Sequence, residues 1–273
     1  MSLRQSTLTQ PFDLEGLNRS LAGTIFQGKV QHLPETRSTN TLAMDAASRG
    51  AAEGTVFVAD QQTQGRGRGG HHWHSEPQSS LLFSFIVRPK TQAADALWLS
   101  LMAGVAVVHA VRQHTGLQPD LRWPNDLLLN GKKFCGILTE LSSDGAAVRH
   151  AVIGIGVNVN QPAFPPDLLS VATSLRIESG KQWSRTELLA TLLKALDTEY
   201  NSLIAELARG RTATALLMRL KAVSSYVEGK RVYVSEAEGY AGITGGLDER
   251  GFLLVRTAEG IRKVISGGVR ALE

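Results

Sequence analysis

The chain has 273 residues, 42% of them hydrophobic and 20% charged, with a formal net charge of +4 and a pI near 9.3. This length suits one large domain, or a domain of about 200 residues with a small second one. The mild positive charge permits an anionic ligand but does not by itself indicate nucleic acid. A single cysteine, Cys135, excludes an intrachain disulfide and favours a reducing compartment. Since the N-terminus shows no signal-peptide pattern and no stretch approaches the about 20 apolar residues of a membrane span, we expect a cytoplasmic protein without a membrane anchor.

The first half of the chain alternates between helix and strand signals. Residues 1–30 are polar with little pattern and are taken as an N-terminal extension. Small apolar residues at helical spacing then predict a helix that Gly50 ends. Residues 55–60 are β-rich, and the continuous apolar run 80–87 predicts a central strand buried on both faces. An apolar stripe in residues 95–116 predicts a long helix.

Tight turns and a helix cap organise the middle of the chain. Asn130-Gly131 between apolar runs predicts a type I′ hairpin turn, and Asp144-Gly145 predicts a second hairpin. Three consecutive antiparallel strands favour a mixed α/β domain over a doubly wound parallel one. Ser184 and Glu187 form a capping box that begins a long amphipathic helix.

After Gly229 the pattern changes to short strands separated by glycines. Five such segments in the last part of the chain predict a small β-barrel. The sequence therefore predicts an N-terminal extension (1–30), a catalytic domain (31–222) and a C-terminal barrel domain (223–273).

The stretch from Gln61 to Trp73 combines a glycine-rich backbone with two arginines. Four glycines between residues 65 and 70 make this loop mobile unless something holds it. Exposed backbone N–H groups and the forks of Arg66 and Arg68 suit a phosphate or carboxylate. The loop matches neither the P-loop pattern nor the context of a dinucleotide-binding turn. A solvated segment that binds nucleic acid without specificity remains an alternative at this point.

Four stretches in the same order and spacing resemble the biotin protein ligase family. They are Ser38–Asn40, residues 62–70 with Trp73, residues 122–138, and residues 154–160. The resemblance implies an α+β fold: a mixed sheet with flanking helices, as in the class II synthetase-like biotin/lipoate ligase catalytic domain, and a small C-terminal SH3-like β-barrel.

The resemblance also implies a two-step reaction with ATP, Mg²⁺ and biotin. The biotin carboxylate attacks the α-phosphorus of ATP to give biotinyl-5′-AMP, and a lysine of a biotin carboxyl carrier protein then attacks that anhydride. Because the intermediate hydrolyses in water, the glycine loop is expected to close over it. Without ligand, residues 65–72 are expected to be poorly ordered.

Residue roles follow from the resemblance, position by position. The biotin-binding residues are expected to be Ser38, Thr39, Asn40, Gln62, Arg66, Gly67, Arg68 and Lys133. The catalytic residues are expected to be Lys133, Arg68 and Asp126, with Asp126 also a possible Mg²⁺ ligand. The nucleotide-binding residues are expected to be Arg68, Trp73, Asn125 and Asn158. Helix capping is the alternative for Ser38–Asn40, a turn carboxylate for Asp126, and a core position for Trp73. Lys132 is interpreted as a solvated hairpin residue.

The chain departs from the family pattern at two places. His71 stands where the family usually has a third loop arginine, so phosphate binding there is expected to be weaker or pH-dependent. The chain lacks the usual basic ending, which puts a nucleotide contact from Arg270 in doubt. The histidines at 71, 72 and 74 invite a structural-metal hypothesis, but they lack acidic or cysteine partners at ligand spacing.

Three other functions compete with a monofunctional ligase. A repressor needs a winged helix-turn-helix, and fewer than forty residues precede Ser38. A nucleic-acid-binding protein fits the charge and the loop but leaves residues 122–126 unexplained. A lipoate or octanoate transferase shares the fold but lacks the glycine loop. We therefore expect no specific DNA binding, and either a monomer or a homodimer.

Overall fold

The computed structural model describes residues 12–70, 73, 75–209, 213–236, 238–265 and 267–272. The helices are α1 Leu14–Ser20, α2 Thr39–Ser48, α3 Ala96–Thr115, α4 Leu175–Ser179, α5 Arg185–Leu207 and α6 Thr214–Val223. The strands are β1 Val30–Thr36, β2 Val56–Gln62, β3 Ser80–Val87, β4 Asp120–Arg122, β5 Asp126–Leu129, β6 Lys132–Asp144, β7 Ala147–Asn158, β8 Glu228–Val234, β9 Tyr240–Leu247, β10 Leu253–Thr257, β11 Gly260–Val264 and β12 Val269–Ala271. They form two separate sheets.

The larger sheet is a mixed sheet of seven strands in the order β1-β2-β3-β7-β6-β5-β4. Only β1 and β2 are parallel, and the other neighbours are antiparallel. Every residue of β3 is buried, as its continuous apolar run predicts. The mixed α+β class expected from the order of strands and helices is confirmed.

The two predicted hairpins are present, with one difference in the second turn. Asn130 and Gly131 have φ values of 47° and 78°, which are the two positive values that a type I′ turn requires. In the second hairpin Asp144 still pairs with Ala147, so the turn residues are 145 and 146. The prediction of Asp144-Gly145 as the turn pair was wrong by one residue, because the strand continues through Asp144.

Helices cover both faces of the larger sheet. The long helices α3 and α5 pack against each other and against the face that carries Phe83, Phe85 and Ile153. The Ser184 hydroxyl accepts a hydrogen bond from the Glu187 N–H (3.3 Å), which confirms the predicted cap of α5. The short helix α2 packs on the opposite face, against residues that alternate with the first set along the same strands. This second face is only partly covered, and the cavity described below opens there.

The segment 93–115, which contains α3, is long and apolar enough to cross a membrane, although no stretch of that length was expected. Within its most apolar window 72% of the residues are buried inside the protein. The buried core helix of a globular domain passes the same test of length and composition. The burial identifies α3 as the central core helix of this domain.

Residues 12–30, which the sequence sets apart as an extension, pack onto the larger sheet and its helices. Leu17, Leu21 and Phe26 are almost fully buried in the main core. The Ile25 N–H donates to Asp197 Oδ1 of α5 (2.9 Å). The segment shows little regular apolar pattern in the sequence. Its few apolar side chains nevertheless reach the core, and their packing holds it in place.

The smaller sheet has five antiparallel strands in the order β11-β10-β9-β8-β12, as the five short segments predict. The turn before β10 docks this sheet onto the larger domain through two buried tryptophans. Trp98 Nε1 donates to the Glu249 carbonyl (3.3 Å) and Trp123 Nε1 donates to the Gly251 carbonyl (2.9 Å). α6 runs through Val223 and β8 begins at Glu228, so the predicted boundary at 222/223 lies at the end of α6 and stays a prediction.

Candidate active site

A cavity opens on the face of the larger sheet that α2 covers. Its walls come from the start of α2, the end of β2, the glycine loop (residues 65–70) and the central strands β3, β6 and β7. The residues that line it are Ser38, Thr39, Asn40, Gln62, Arg66, Gly67, Arg68, Trp73, Leu82, Phe83, Asn125, Lys133, Gly136, Ile137, Leu138, Gly154, Ile155 and Gly156. Every predicted site residue is in this set except Asp126 and Asn158.

A chain of hydrogen bonds forms the polar wall of the cavity beside α2. Gln62 Oε1 accepts from both the Thr39 N–H (2.7 Å) and the Thr39 hydroxyl (3.0 Å). The Ser84 hydroxyl lies 2.7 Å from Thr39 Oγ1 and 2.6 Å from Asn40 Oδ1. Ser38 caps α2, with its hydroxyl 3.5 Å from the Thr41 N–H, so the capping role and a place in the cavity wall coexist. Short polar side chains thus converge at one end of the cavity.

Glycines on β6 and β7 make the floor of the cavity. A Cβ atom on Gly154 would lie 1.9 Å from Asn40 Oδ1, and one on Gly156 would lie 2.7 Å from Trp73 Cε2. Gly136 pairs with Gly156 across the strands and leaves room for the Trp73 ring and for Lys133. These positions must be glycine because other side chains occupy the space that a Cβ would need.

Lys133 lies at the other end of the cavity from the polar wall. Its ammonium is 2.5 Å from Asp126 Oδ1 and 5.5 Å from the centre of the Trp73 ring. The other oxygen of Asp126 accepts from Arg122 Nη2 (2.7 Å). Burial acts to raise the pKa of Asp126, but Lys133 and Arg122 outweigh it, and the pKa lies below its usual value. Asp126 is therefore a fixed anion that holds Lys133 in place.

A β-bulge turns Lys133 towards the cavity. Leu127 pairs with Cys135 whereas Leu128 pairs with Lys133, so Phe134 is an extra residue in β6. In a regular strand, residues three apart face opposite sides. Here a Cβ on Gly136 would lie 3.1 Å from Lys133 Nζ, so both residues face the cavity. Phe134 is fully buried.

The glycine loop brings Arg66 and Arg68 to the cavity mouth. The Trp73 N–H donates to the Gly65 carbonyl (3.0 Å), which closes the described part of the loop against β2. Gly69 and Gly70 have positive φ angles of 68° and 81°. Burial lowers the pKa of Arg68, and the carboxylates of Asp126 and Glu236 act in the opposite direction. Trp73 is half-buried over the glycine floor and therefore belongs to the cavity more than to the core.

Several predicted features lie elsewhere or outside the described residues. Asn158 is buried beside the cavity, where its amide donates to the Thr173 carbonyl (3.0 Å) and accepts from Gln161 (3.2 Å). Lys132 donates to the Leu169 carbonyl (2.9 Å), so it contacts a neighbouring loop in addition to solvent. Arg270 is exposed on β12 and pairs with Tyr233. The histidines at 71, 72 and 74, and the hypotheses attached to them, fall outside the described residues.

Mg²⁺ prefers oxygen ligands, so the carboxylates near Lys133 show whether the cavity could hold this ion. Asp126 is the one carboxylate placed beside Lys133, and both of its oxygens already contact cations. Among the described residues, no group of three or more histidine, cysteine or acidic side chains could hold a metal ion. These residues do not fit a preformed metal site.

Three contributing residues escaped the sequence-based prediction: Ser84, Arg122 and Glu140. Ser84 was detectable, because a serine inside a continuous apolar run that predicts a buried strand needs a hydrogen-bonding partner. Arg122 begins the motif at residues 122–138, but the motif alone does not indicate its contact with Asp126. Glu140 lies on β6 and accepts from Asn40 Nδ2 and Arg66 Nη2, both at 2.9 Å. No local pattern indicates these contacts, since they join residues far apart in the chain.

Comparison with known proteins agrees with the geometry. Residues 32–158 match the biotin/lipoate A/B protein ligase family, and residues 229–269 match the biotin protein ligase C terminal domain. The first match covers the cavity, and the second covers most of the smaller sheet.

Individual relatives match over most of their length. The bifunctional ligase/repressor BirA of Bacillus spizizenii is 38% identical over 235 residues, which are 85% of this chain and 70% of the relative. The biotin–[acetyl-CoA-carboxylase] ligase of Mycobacterium tuberculosis is 31% identical, with 96% of both chains covered. The solved biotin protein ligase from Aquifex aeolicus, in complex with biotin and ATP, has a TM-score of 0.75 at 30% identity and covers 90% of this chain and 99% of its own. This chain therefore belongs to the biotin protein ligase family.

Proposed function

We propose that this chain is an ATP-dependent ligase that activates biotin as biotinyl-5′-AMP and transfers it to a lysine of a biotin carboxyl carrier protein. The observation that carries the proposal is the cavity, whose polar wall, glycine loop and half-buried lysine, Lys133, lie within the matched family region. The related Aquifex aeolicus ligase was solved with biotin and ATP. These two substrates fit the two chemically different ends of the cavity.

The polar wall suits the ureido ring of biotin. A ureido group carries one carbonyl and two N–H groups, which all need partners when they leave water. Ser38, Thr39 and Gln62 supply hydroxyl and amide groups at the closed end of the cavity. The floor of glycines and the apolar Leu82 leave a narrow slot for the bicyclic ring and its aliphatic chain.

The opposite end suits the reacting carboxylate and the phosphates. In the first step a biotin carboxylate oxygen bonds to the α-phosphorus, and the bond from that phosphorus to the pyrophosphate leaving group breaks. Negative charge on the α-phosphate develops beside Lys133, which Asp126 holds in position. Arg68 reaches the same region from the glycine loop. Asn125 lines the nucleotide end, where Trp73 offers an aromatic face for adenine.

In the second step the amine of the carrier lysine attacks the acyl carbon, and AMP leaves as the bond from the acyl carbon to the phosphate oxygen breaks. Both steps require that water is kept from the mixed anhydride. The glycine loop borders the cavity mouth, so its closure over the ligand supplies that exclusion.

Isotope exchange between pyrophosphate and ATP tests the first step without any carrier. We expect biotin to drive the exchange with this protein alone. Exchange driven by lipoate or octanoate but not by biotin would instead identify an acyl transferase of the same fold. Transfer of labelled biotin to a carrier domain tests the second step. A carrier domain whose acceptor lysine is replaced by arginine is the control and should receive no biotin.

We further propose cytoplasmic localisation, a monomer or homodimer, and no sequence-specific DNA binding. The buried, unpaired Cys135 supports a reducing compartment, and the mild net charge does not by itself indicate DNA binding. Any DNA binding is expected to be weak and to vanish steeply as the salt concentration rises. A sequence-selective footprint at physiological salt would contradict the absence of specific DNA binding. Cell fractionation tests the localisation, and light scattering tests the oligomeric state.

A further inference from the structure

Glu140 joins two elements of the cavity, the helix α2 and the glycine loop. It lies on β6, and one oxygen, Oε2, accepts from Asn40 Nδ2 of α2 and from Arg66 Nη2 of the glycine loop, both at 2.9 Å. The Glu140 side chain is 29% exposed and the Arg66 side chain 46% exposed. The carboxylate therefore sits at the boundary between the polar wall and the mouth of the cavity.

Asn40 is committed to the protein at both ends of its amide. Its Oδ1 lies 2.6 Å from the Ser84 hydroxyl, and its Nδ2 also contacts the Leu138 carbonyl (3.2 Å). The residue is 4% exposed. With both polar atoms of its amide engaged, Asn40 acts as a bridge that fixes Glu140 to the polar wall.

The contact between Glu140 and Arg66 can change more easily than the contact between Glu140 and Asn40. The glycine loop has four glycines in six residues, so its ordered form carries a large entropic cost. A partly exposed ion pair is too weak to hold such a loop shut alone, because solvent screens it. The ion pair with Glu140 can still orient the guanidinium of Arg66. Glu140 engages Nη2, and the rest of the five-donor fork can receive a ligand carboxylate.

We propose that Glu140 is a positioning residue for biotin binding, which orients Arg66 over the cavity before the ligand carboxylate arrives. The proposal rests on the proposed function, since the carboxylate in question is that of biotin. Glu140, held in place by Asn40, acts through Arg66 and touches no reacting atom. Its contribution is pre-organisation, which improves the binding of biotin and leaves the chemical step unchanged.

The test compares Glu140→Gln with Asp144→Asn, which removes one negative charge from the exposed end of the same strand. Pyrophosphate exchange gives KM for biotin, KM for ATP and kcat. For Glu140→Gln we expect KM for biotin to rise about fivefold, the scale of a partly exposed ion pair, with kcat and KM for ATP within about twofold. Asp144→Asn should match the wild type. In an Arg66→Gln background, the Glu140→Gln change should have no further effect on KM for biotin.

Three outcomes would overturn the proposal: Glu140→Gln behaves like Asp144→Asn, its effect falls on kcat, or its effect persists in the Arg66→Gln background. If Glu140→Gln melts at a much lower temperature than the wild type, Glu140→Asp decides, because it keeps the charge but retracts the carboxylate from both partners. A rise in KM for biotin in Glu140→Asp that is smaller than the fivefold expected for Glu140→Gln supports the proposal. A KM for biotin equal to that of the wild type overturns it. Failure of the wild type to exchange pyrophosphate with biotin would instead refute the proposed function.

Discussion

At the scale of single residues, the site depends on which side chains face the cavity. Ser38, Thr39 and Gln62 were predictable because their sequence motif is local. The orientation of Lys133 was not, since it depends on the extra residue that the bulge at Phe134 inserts. The neighbouring lysines 132 and 133 consequently have different partners, a loop carbonyl for the first and Asp126 for the second.

This difference predicts unequal effects of the two lysines on chemistry. Lys133→Ala should slow adenylate formation by a factor of about 10²–10³, the usual loss for one preorganised group that stabilises developing charge. Lys132→Ala loses one hydrogen bond to the Leu169 carbonyl and should change the rate by less than about fivefold. Single-turnover formation of the adenylate measures both, and each variant removes the same charge from the same hairpin. Equal rates for the two variants would show that the catalytic lysine is misassigned.

The lowered pKa of Asp126 predicts an acid-dependent contribution to stability. Ion pairing favours its ionised form in the folded state, so the contribution is present above the ordinary carboxyl pKa of 3.8 and is lost as the pH falls through the lowered value. The stability difference between wild type and Asp126→Asn should therefore be constant above about pH 5 and shrink below about pH 4. Urea unfolding at a series of pH values measures it. A difference that stays constant down to pH 2.5 would mean that the ion pairs do not stabilise the fold.

At the scale of elements, the central strands form the floor of the cavity and the glycine loop borders its mouth. The apolar patterns predict β3, α3 and α5 well, because their apolar residues are buried in the structure. The loop has no apolar anchor between residues 65 and 70, and its order depends on contacts such as Arg66 to Glu140. We therefore expect the strands to supply fixed groups and the loop to supply the groups that respond to the ligand.

Ligands should order the loop selectively. We expect deuterium uptake at residues 65–70 to fall when biotin and ATP are added together, because contacts to the adenylate offset the entropy of the glycines. The hairpin turn at residues 145–146 lies away from the cavity and serves as an internal control. Equal protection of the loop with and without ligands would contradict its role as a lid.

At the scale of the whole molecule, the smaller sheet is tied to the catalytic motif. Trp123 donates from within the motif 122–126 to the Gly251 carbonyl, and both groups are buried. Trp98 makes a similar contact to Glu249 from α3, away from that motif. The smaller sheet thereby supports the segment that places Asn125 and Asp126.

A comparison of these two tryptophans separates stability from catalysis. Trp123→Phe and Trp98→Phe each leave a carbonyl without its donor, which should lower the free energy of unfolding by about 1–3 kcal/mol. Only Trp123→Phe should also slow adenylate formation, because the loss lies next to Asn125 and Asp126. Chemical denaturation and single-turnover kinetics measure the two effects. Similar rates for both variants would show that the smaller sheet supports the fold without influencing the site.

Features that depend on near neighbours can be predicted from the chain alone. The Asn130-Gly131 turn, the Ser184 cap, the apolar patterns of strands and helices and the four motifs are all local, so their physical requirements are visible along the chain. Contacts between distant segments become visible in the folded structure alone. Asn40 meets Glu140 across 100 residues, and Trp123 meets Gly251 across 128. Such pairs follow from strand register, one bulge and the docking of two sheets, and these depend on the packing of the whole chain rather than on any single stretch of it.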